Sequence, residues 1–99
     1  MSGKPAQVLG FSLRAPKDGV HEFALPKGCQ ILSVGEQGGQ LRFWVLGYAE
    51  GDQERRAITL TSTGSDAGPP TSAVRDTYVG HAEIGGTVWH LWDGDLTRF

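Results

Sequence analysis

The sequence predicts an all-β fold, either a small antiparallel sandwich or a partly closed barrel of about seven strands built from hairpins. Its apolar residues fall in short runs rich in β-branched and aromatic side chains, and glycine, proline or aspartate ends each run. No amphipathic helical pattern extends beyond a turn or two. Both architectures protect the exposed edges of a sheet, so the sequence leaves the choice between them open.

The chain is predicted to form a single domain. Its 99 residues are enough for one hydrophobic core and too few for two, so residues 1–99 make one β domain. Residues 1–6 and 94–99 are expected to be flexible ends. The predicted strands, in chain order, are 7–14, 20–25, 30–37, 41–48, 56–62, 76–84 and 87–93.

Glycine-containing turns separate three pairs of these strands. Gly38-Gly39 and Gly85-Gly86 supply the positive φ angles that tight hairpin turns need. A similar turn at Asp18-Gly19 is predicted to join the first two strands. The result is a meander that contains three hairpins.

The longest irregular stretch, 63–75, is rich in glycine, proline and hydroxyl residues and is predicted to be a surface loop. Loops of this length are often functional. The hydroxyls and backbone N–H groups at its start, around Thr63 and Gly64, could cradle an anion, although such residues are also ordinary loop material.

Composition excludes several classes of function. A net charge of −2 argues against binding nucleic acid through its phosphates, which requires a concentrated excess of Lys and Arg. The single cysteine, Cys29, cannot form an intramolecular disulfide, and no apolar run is long enough for a membrane-spanning helix. We find no secretory signal at the N terminus and expect a cytoplasmic protein without a membrane partner.

Two strands are apolar on both faces. Period-two alternation in the fourth strand places Leu41, Phe43 and Val45 opposite Arg42, Trp44 and Leu46. Two apolar faces indicate burial between layers or an interface. We expect Trp44 to pack in the core, with a ligand platform or subunit contact as the alternative.

The last strand repeats this pattern. Val88, His90 and Trp92 alternate with Trp89 and Leu91. Like Trp44, Trp89 is expected to pack in the core, with a ligand platform or subunit contact as the alternative. Trp92, near the end of the chain, is less strongly predicted to be a core residue. A histidine between two tryptophans is typically a hydrogen-bonded structural residue, and the alternative is a contact to a ligand or partner.

No pattern of catalytic or metal-binding residues is present. His21, His81 and His90 are too far apart in sequence for metal-ligand spacing, and no nucleophile-elbow motif occurs. Cys29 is interpreted as a small buried residue. We therefore expect no cofactor, no metal site and no enzymatic activity.

An ordered set of short motifs lies between residues 25 and 92. The motifs are Leu25-Pro26-Lys27-Gly28, Ile31-Leu32-Ser33-Val34 with Gln37, Leu41 with Trp44, Thr63-Gly64, Tyr78-Val79-Gly80 and Val88-Trp89-His90-Leu91. Together they resemble a family of small phage- and prophage-encoded proteins of uncharacterised function. The chain differs from that pattern at Ser62, where the family tends to have glycine, and at Trp92, where phenylalanine is usual. The resemblance implies a viral or mobile-element origin, and small proteins of that origin often block host defences.

Three functional hypotheses follow. The first is a non-enzymatic binding protein, a phage-encoded inhibitor of a host defence system that binds a host protein stoichiometrically in the host cytoplasm. The second is a sponge for a small nucleotide signalling molecule, for which Arg42, Arg56, Trp44 and the Thr63-Gly64 segment should converge on one pocket. The third is a virion or assembly protein that self-associates. A homodimer is compatible with either the binding or the structural class.

Eight residues are predicted to bind the ligand or partner. They are Arg42, Trp44, Arg56, Thr63, Gly64, Tyr78, His90 and Trp92.

Overall fold

The computed structural model describes residues 5–65 and 77–96, which form seven β-strands and no helix. The strands are β1 (Gln7–Leu13), β2 (Gly19–Pro26), β3 (Gln30–Gln37), β4 (Gln40–Gly47), β5 (Gln53–Ser62), β6 (Tyr78–Ile84) and β7 (Thr87–Asp93). The all-β prediction is confirmed, and every predicted strand is present. The predicted start of the sixth strand at residue 76, most of the predicted 63–75 loop and part of both predicted flexible ends lie outside the described residues.

The strands form two antiparallel sheets that pack as a sandwich. Sheet A has the strand order β1-β4-β3, and sheet B has the order β2-β5-β7-β6. Of the two predicted architectures, the sandwich is therefore the observed one. Within the described ranges, no helix is long and apolar enough to cross a membrane.

Two of the three predicted hairpins are confirmed. The β3–β4 turn has φ angles of 62° at Gly38 and 80° at Gly39, and the β6–β7 turn has 57° at Gly85 and 86° at Gly86. Positive φ at both central residues is the geometry of a type I′ turn, whose twist matches that of the flanking strands.

The predicted hairpin at Asp18-Gly19, and with it the meander, is wrong. β1 pairs with β4 and β2 pairs with β5, so the chain crosses from sheet A to sheet B after β1. The Asp18 carboxylate accepts hydrogen bonds from the backbone N–H of Ser62 at 2.6 Å and from its hydroxyl at 3.0 Å. The backbone hydrogen bond lowers the pKa of Asp18 and attaches the crossover to the end of β5.

The core lies between the sheets and follows the predicted alternation. Leu41, Phe43 and Val45 of β4 are fully buried. Phe43 stacks on Phe11 with ring centroids 5.6 Å apart, and it meets Phe23 of sheet B edge-on at 5.0 Å. Aromatic contacts of this geometry join the two sheets.

The two tryptophans predicted to pack in the core, Trp44 and Trp89, lie in different environments. Trp89 is partly buried and packs against the core. Trp44 projects from the other side of β4, opposite the buried side chains, so the core prediction holds for Trp89 and is wrong for Trp44. The reason is that the interior already receives Phe43 and Val45 from the same strand, and period-two alternation sends Trp44 outward.

Candidate functional site

The structure distributes the eight predicted site residues over three places. Arg42 and Trp44 lie on the outer surface of sheet A, and Arg56 lies at one end of the sandwich, between the sheets. The other five lie on or next to the outer surface of sheet B: Thr63, Gly64, Tyr78, His90 and Trp92. The prediction that Arg42, Arg56, Trp44 and Thr63-Gly64 converge on one pocket is therefore wrong, because the two outer surfaces point away from each other.

Arg56 bonds to both layers of the sandwich. One terminal nitrogen donates to the backbone carbonyl of Cys29 at 2.9 Å, next to sheet A, and the other donates to the Asp93 carboxylate of β7 at 3.0 Å. Burial lowers the pKa of Arg56, but the hydrogen bond and charge of Asp93, with Cys29 and Glu54, raise it by more, so the side chain stays charged. Arg56 thus acts as a structural link, with its two terminal nitrogens engaged inside the protein.

Cys29 lies beside this arginine and is only 6% exposed. Burial raises the pKa of its thiol, and the charge of Arg56 offsets only part of that effect. A protonated thiol is a poor nucleophile. The interpretation of Cys29 as a small buried residue is confirmed.

His90 is the centre of a hydrogen-bonded group on face B, the outer surface of sheet B formed by Thr61, Thr63, Tyr78, His81, His90 and Trp92. Its Nδ1 lies 2.8 Å from the Tyr78 hydroxyl, and its Nε2 lies 2.8 Å from the Thr63 hydroxyl. Burial lowers the pKa of His90, and the neighbouring His81 lowers it further. His90 is therefore a neutral, doubly hydrogen-bonded histidine, as the structural interpretation predicts.

Trp92 extends this group on the same face. Its indole N–H donates to the Thr61 hydroxyl at 3.0 Å, and its ring meets Tyr78 edge-on at a centroid distance of 4.7 Å. Every polar side-chain atom named in the group thus has a partner within the protein. Such a network stiffens a surface without requiring a ligand.

His81 also belongs to face B, although it is not among the eight predicted site residues. It lies directly opposite His90 in the β6–β7 pairing, with ring centroids 5.8 Å apart. A signal for it exists in the sequence: a two-residue turn at Gly85-Gly86 pairs Ile84 with Thr87, and counting outward along both strands reaches this histidine pair.

The row Thr63, His90 and Tyr78 has the spacing of a nucleophile, a base and an orienting group. The third position of such a triad normally holds a carboxylate that stabilises the imidazolium. Here it holds a phenol, whose pKa burial raises further, so it stays neutral. This row lacks the charge that would turn His90 into an effective base. Within residues 5–65 and 77–96, no group of three or more His, Cys, Asp or Glu side chains is placed to hold a metal.

Trp44 and Arg42 lie on face A, the outer surface of sheet A. It is formed by Val8, Gly10, Ser12, Gln30, Ser33, Gly35, Arg42, Trp44 and Leu46, with Leu32 at the β3 bulge. The indole lies across the sheet, over the glycines of the two neighbouring strands. A methyl group added at Gly10 would lie 3.3 Å from Trp44 Nε1, and one added at Gly35 would lie 3.3 Å from Cζ3. Because neither glycine has a side chain, the indole ring fits closely over both strands.

Arg42 is held beside the indole. It donates from Nη1 to the Ser12 hydroxyl at 2.8 Å, and its Nε is buried without a hydrogen-bond acceptor among the described residues. A buried donor without an acceptor costs free energy in the folded chain. Among the described residues, the Nε–H of Arg42 is thus the one buried side-chain donor without a hydrogen-bond partner.

Exposed apolar side chains surround this pair. Val8 is 60% exposed, Leu46 lies directly opposite it and is 38% exposed, and Leu32 at the β3 bulge is 42% exposed. A separate cleft of about 570 Å³ lies beyond the end of β4. Its lining residues are Pro5, Gln7, Tyr48, Ala49, Glu50 and Gly51.

The fold and its two outer faces define a small antiparallel β-sandwich domain with exposed apolar side chains around Trp44 and Arg42 on the outside of sheet A. The profile of a family described as a domain of unknown function, DUF7352, matches residues 6–97. Because this match spans nearly the whole chain, the chain belongs to that family. Comparison with curated proteins and with solved structures gave no match.

Proposed function

We propose that this chain is a non-enzymatic binding protein that attaches to a partner protein through face A. The observation that carries the proposal is the grouping of exposed Val8, Leu32 and Leu46 around Trp44 and Arg42. An exposed apolar patch on a small domain marks an interaction site, and tryptophan and arginine are the residues that most often dominate binding energy.

The biological role we propose is inhibition of a host defence system by a phage-encoded protein, which acts by occupying the surface of a host protein in the host cytoplasm. This part of the proposal rests on the resemblance of the motifs between residues 25 and 92 to phage and prophage proteins. Such action is stoichiometric: each inhibitor molecule removes one target molecule.

Two features favour a protein partner over a nucleotide. The arginines proposed for phosphate binding do not meet, because Arg56 links the two sheets and Arg42 is on face A. The exposed side chains around Trp44 on face A include Val8, Leu32 and Leu46, and a net charge of −2 provides no general attraction for phosphates. Among residues 5–65 and 77–96, the side chains expected to form the nucleotide pocket lie apart, which favours a protein partner.

The experiment is affinity capture of the tagged chain from host cells, followed by titration calorimetry with the purified target. We expect a 1:1 complex. Leu46→Asp on face A should weaken binding by about 30-fold, since a carboxylate would have to be buried without a partner. Ala24→Asp is the matched control: Ala24 is exposed on the outer side of sheet B, opposite Arg55, and the same new charge should leave affinity unchanged.

If Leu46→Asp and Ala24→Asp weakened the binding affinity equally, face A would not be the binding surface. Recovery of no stoichiometric host protein would contradict the host-inhibitor role. Inhibition of the target at a small fraction of its molar amount would contradict the non-enzymatic mode, because a binding protein cannot turn over.

A further inference from the structure

The four edge strands of the sandwich differ in how well they are protected against pairing with another strand. β2 contains His21, Glu22 and a terminal proline, while β3 contains Glu36 and a bulge. β6 contains Glu83 and a bulge. Charges, prolines and bulges are the devices by which proteins prevent edge-to-edge association.

β1 has none of these devices. Its sequence is Gln-Val-Leu-Gly-Phe-Ser-Leu, without a charge or a proline, and all seven residues keep an unbroken register with β4. Among the described residues, no strand pairs with its other edge. β1 is therefore the edge at which this sandwich can accept a further strand.

We propose that β1 pairs with β1 of a second copy of the chain, antiparallel and about a two-fold axis at Gly10. The occupant is a second copy because an uncharged strand can oppose itself without placing like charges side by side, whereas Glu22 or Glu83 would lie close to its own counterpart. This inference goes beyond the proposed function and does not depend on it.

The pairing matches side chains on both faces of the strand. With Gly10 opposite Gly10, Val8 lies opposite Ser12 of the second copy on the outer face. On the inner face, Leu9 lies opposite Phe11 of the second copy. Leu9 and Phe11 are only partly buried and pack against the core, so the pairing extends the hydrophobic interior from one copy to the next.

Gly10 suits the position on the axis. Trp44 and Arg42 lean from β4 over Gly10, and a methyl group added there would lie 2.5 Å from Arg42 Nη2. Two bare glycines at the axis leave room for the indoles and guanidinium groups of both copies. The dimer then has a continuous six-stranded sheet, three strands from each copy, with two copies of face A side by side.

Sedimentation and native mass spectrometry at micromolar concentration test the pairing. We expect the native chain to be a dimer and the Val8→Glu/Ser12→Glu variant to have a dissociation constant about tenfold higher, since each new Glu faces one of like charge across the axis. Within one copy the carboxylate at position 12 lies next to Arg42, which keeps the monomer folded. Leu32→Glu, at the other edge of sheet A, is the matched control and should dimerise normally.

A charge-reversal mixture tests the register itself. Mixing the double variant with a Val8→Lys chain should restore association as a heterodimer, because position 12 of one copy faces position 8 of the other. A native chain that is monomeric throughout this range, or a double variant that dimerises as well as Leu32→Glu, would overturn the proposal. Neither result bears on whether a host protein binds face A, which the calorimetry with Leu46→Asp measures separately.

Discussion

The two outer faces of the sandwich each carry an indole ring, yet they differ in how their polar groups are satisfied. On face B, Trp92 donates to Thr61, and His90 has partners at both ring nitrogens. On face A, Trp44 lies over bare glycines, and the buried Nε of Arg42 has no acceptor within the described residues. The hydrogen-bonding groups of Trp92 and His90 on face B have partners within the chain, whereas face A retains one buried donor without an acceptor among the described residues. This difference is consistent with the proposal that a partner binds face A. Mutations on face B should therefore act mainly on stability, and mutations on face A mainly on association.

The largest expected difference is between the two outer tryptophans. Trp92→Ala should lower the free energy of unfolding by about 3 kcal/mol, because it removes a large ring and leaves the buried Thr61 hydroxyl without its donor. Trp44→Ala should cost about 1 kcal/mol, since the ring lies partly exposed on the outer surface over Gly10 and Gly35 and donates no hydrogen bond to a buried hydroxyl as Trp92 does. Urea denaturation of both variants measures the difference, and equal losses would contradict the contrast between the faces.

Removal of the central histidine of face B is expected to have the next largest effect. His90→Ala leaves the hydroxyls of Tyr78 and Thr63 without their shared partner and should lower the free energy of unfolding by about 1 to 2 kcal/mol. Binding of the captured target should stay unchanged. A loss of affinity in this variant without loss of stability would assign the binding surface to face B instead.

The same histidine makes stability depend on pH. Its pKa in the folded protein lies below the usual value of 6.5, because burial and then His81 disfavour the charged form. The unfolded chain therefore takes up the proton first, so this contribution to stability is complete above pH 6.5 and is lost as the pH falls below it. Denaturation of the native chain between about pH 7.5 and 5.5 should show this decline, and His90→Gln should reduce it. An identical decline in His90→Gln would assign the effect to other groups.

The smallest expected effect on stability is at the exposed leucine of face A. Leu46→Ser should change the free energy of unfolding by no more than about 0.5 kcal/mol, because Leu46 lies on the outer surface of sheet A and is 38% exposed. It should still weaken binding to the target. A destabilisation above about 1 kcal/mol would show that Leu46 supports the fold and is not an available contact surface.

Local features of the sequence predicted the strands well. Glycine pairs determine the two confirmed hairpins because only glycine adopts positive φ at both central positions without strain. The register of the β6–β7 hairpin, and so the meeting of His81 and His90, also follows from the turn. The alternation of Leu41, Phe43 and Val45 with Trp44 is likewise local. Local features do not determine which of the two apolar faces of β4 the second sheet covers.

The sequence by itself determined the all-β class, the seven strands and the two type I′ hairpins, because turn chemistry and period-two alternation depend on neighbours a few residues apart. The tertiary structure alone decided that β1 pairs with β4 and β2 with β5, and that Arg56 meets Cys29 and Asp93 between the layers. The two Arg56 contacts alone join residues 27 and 37 positions apart in the chain. They arise because both sheets bury their apolar faces against each other, a condition of the whole chain that no short segment records.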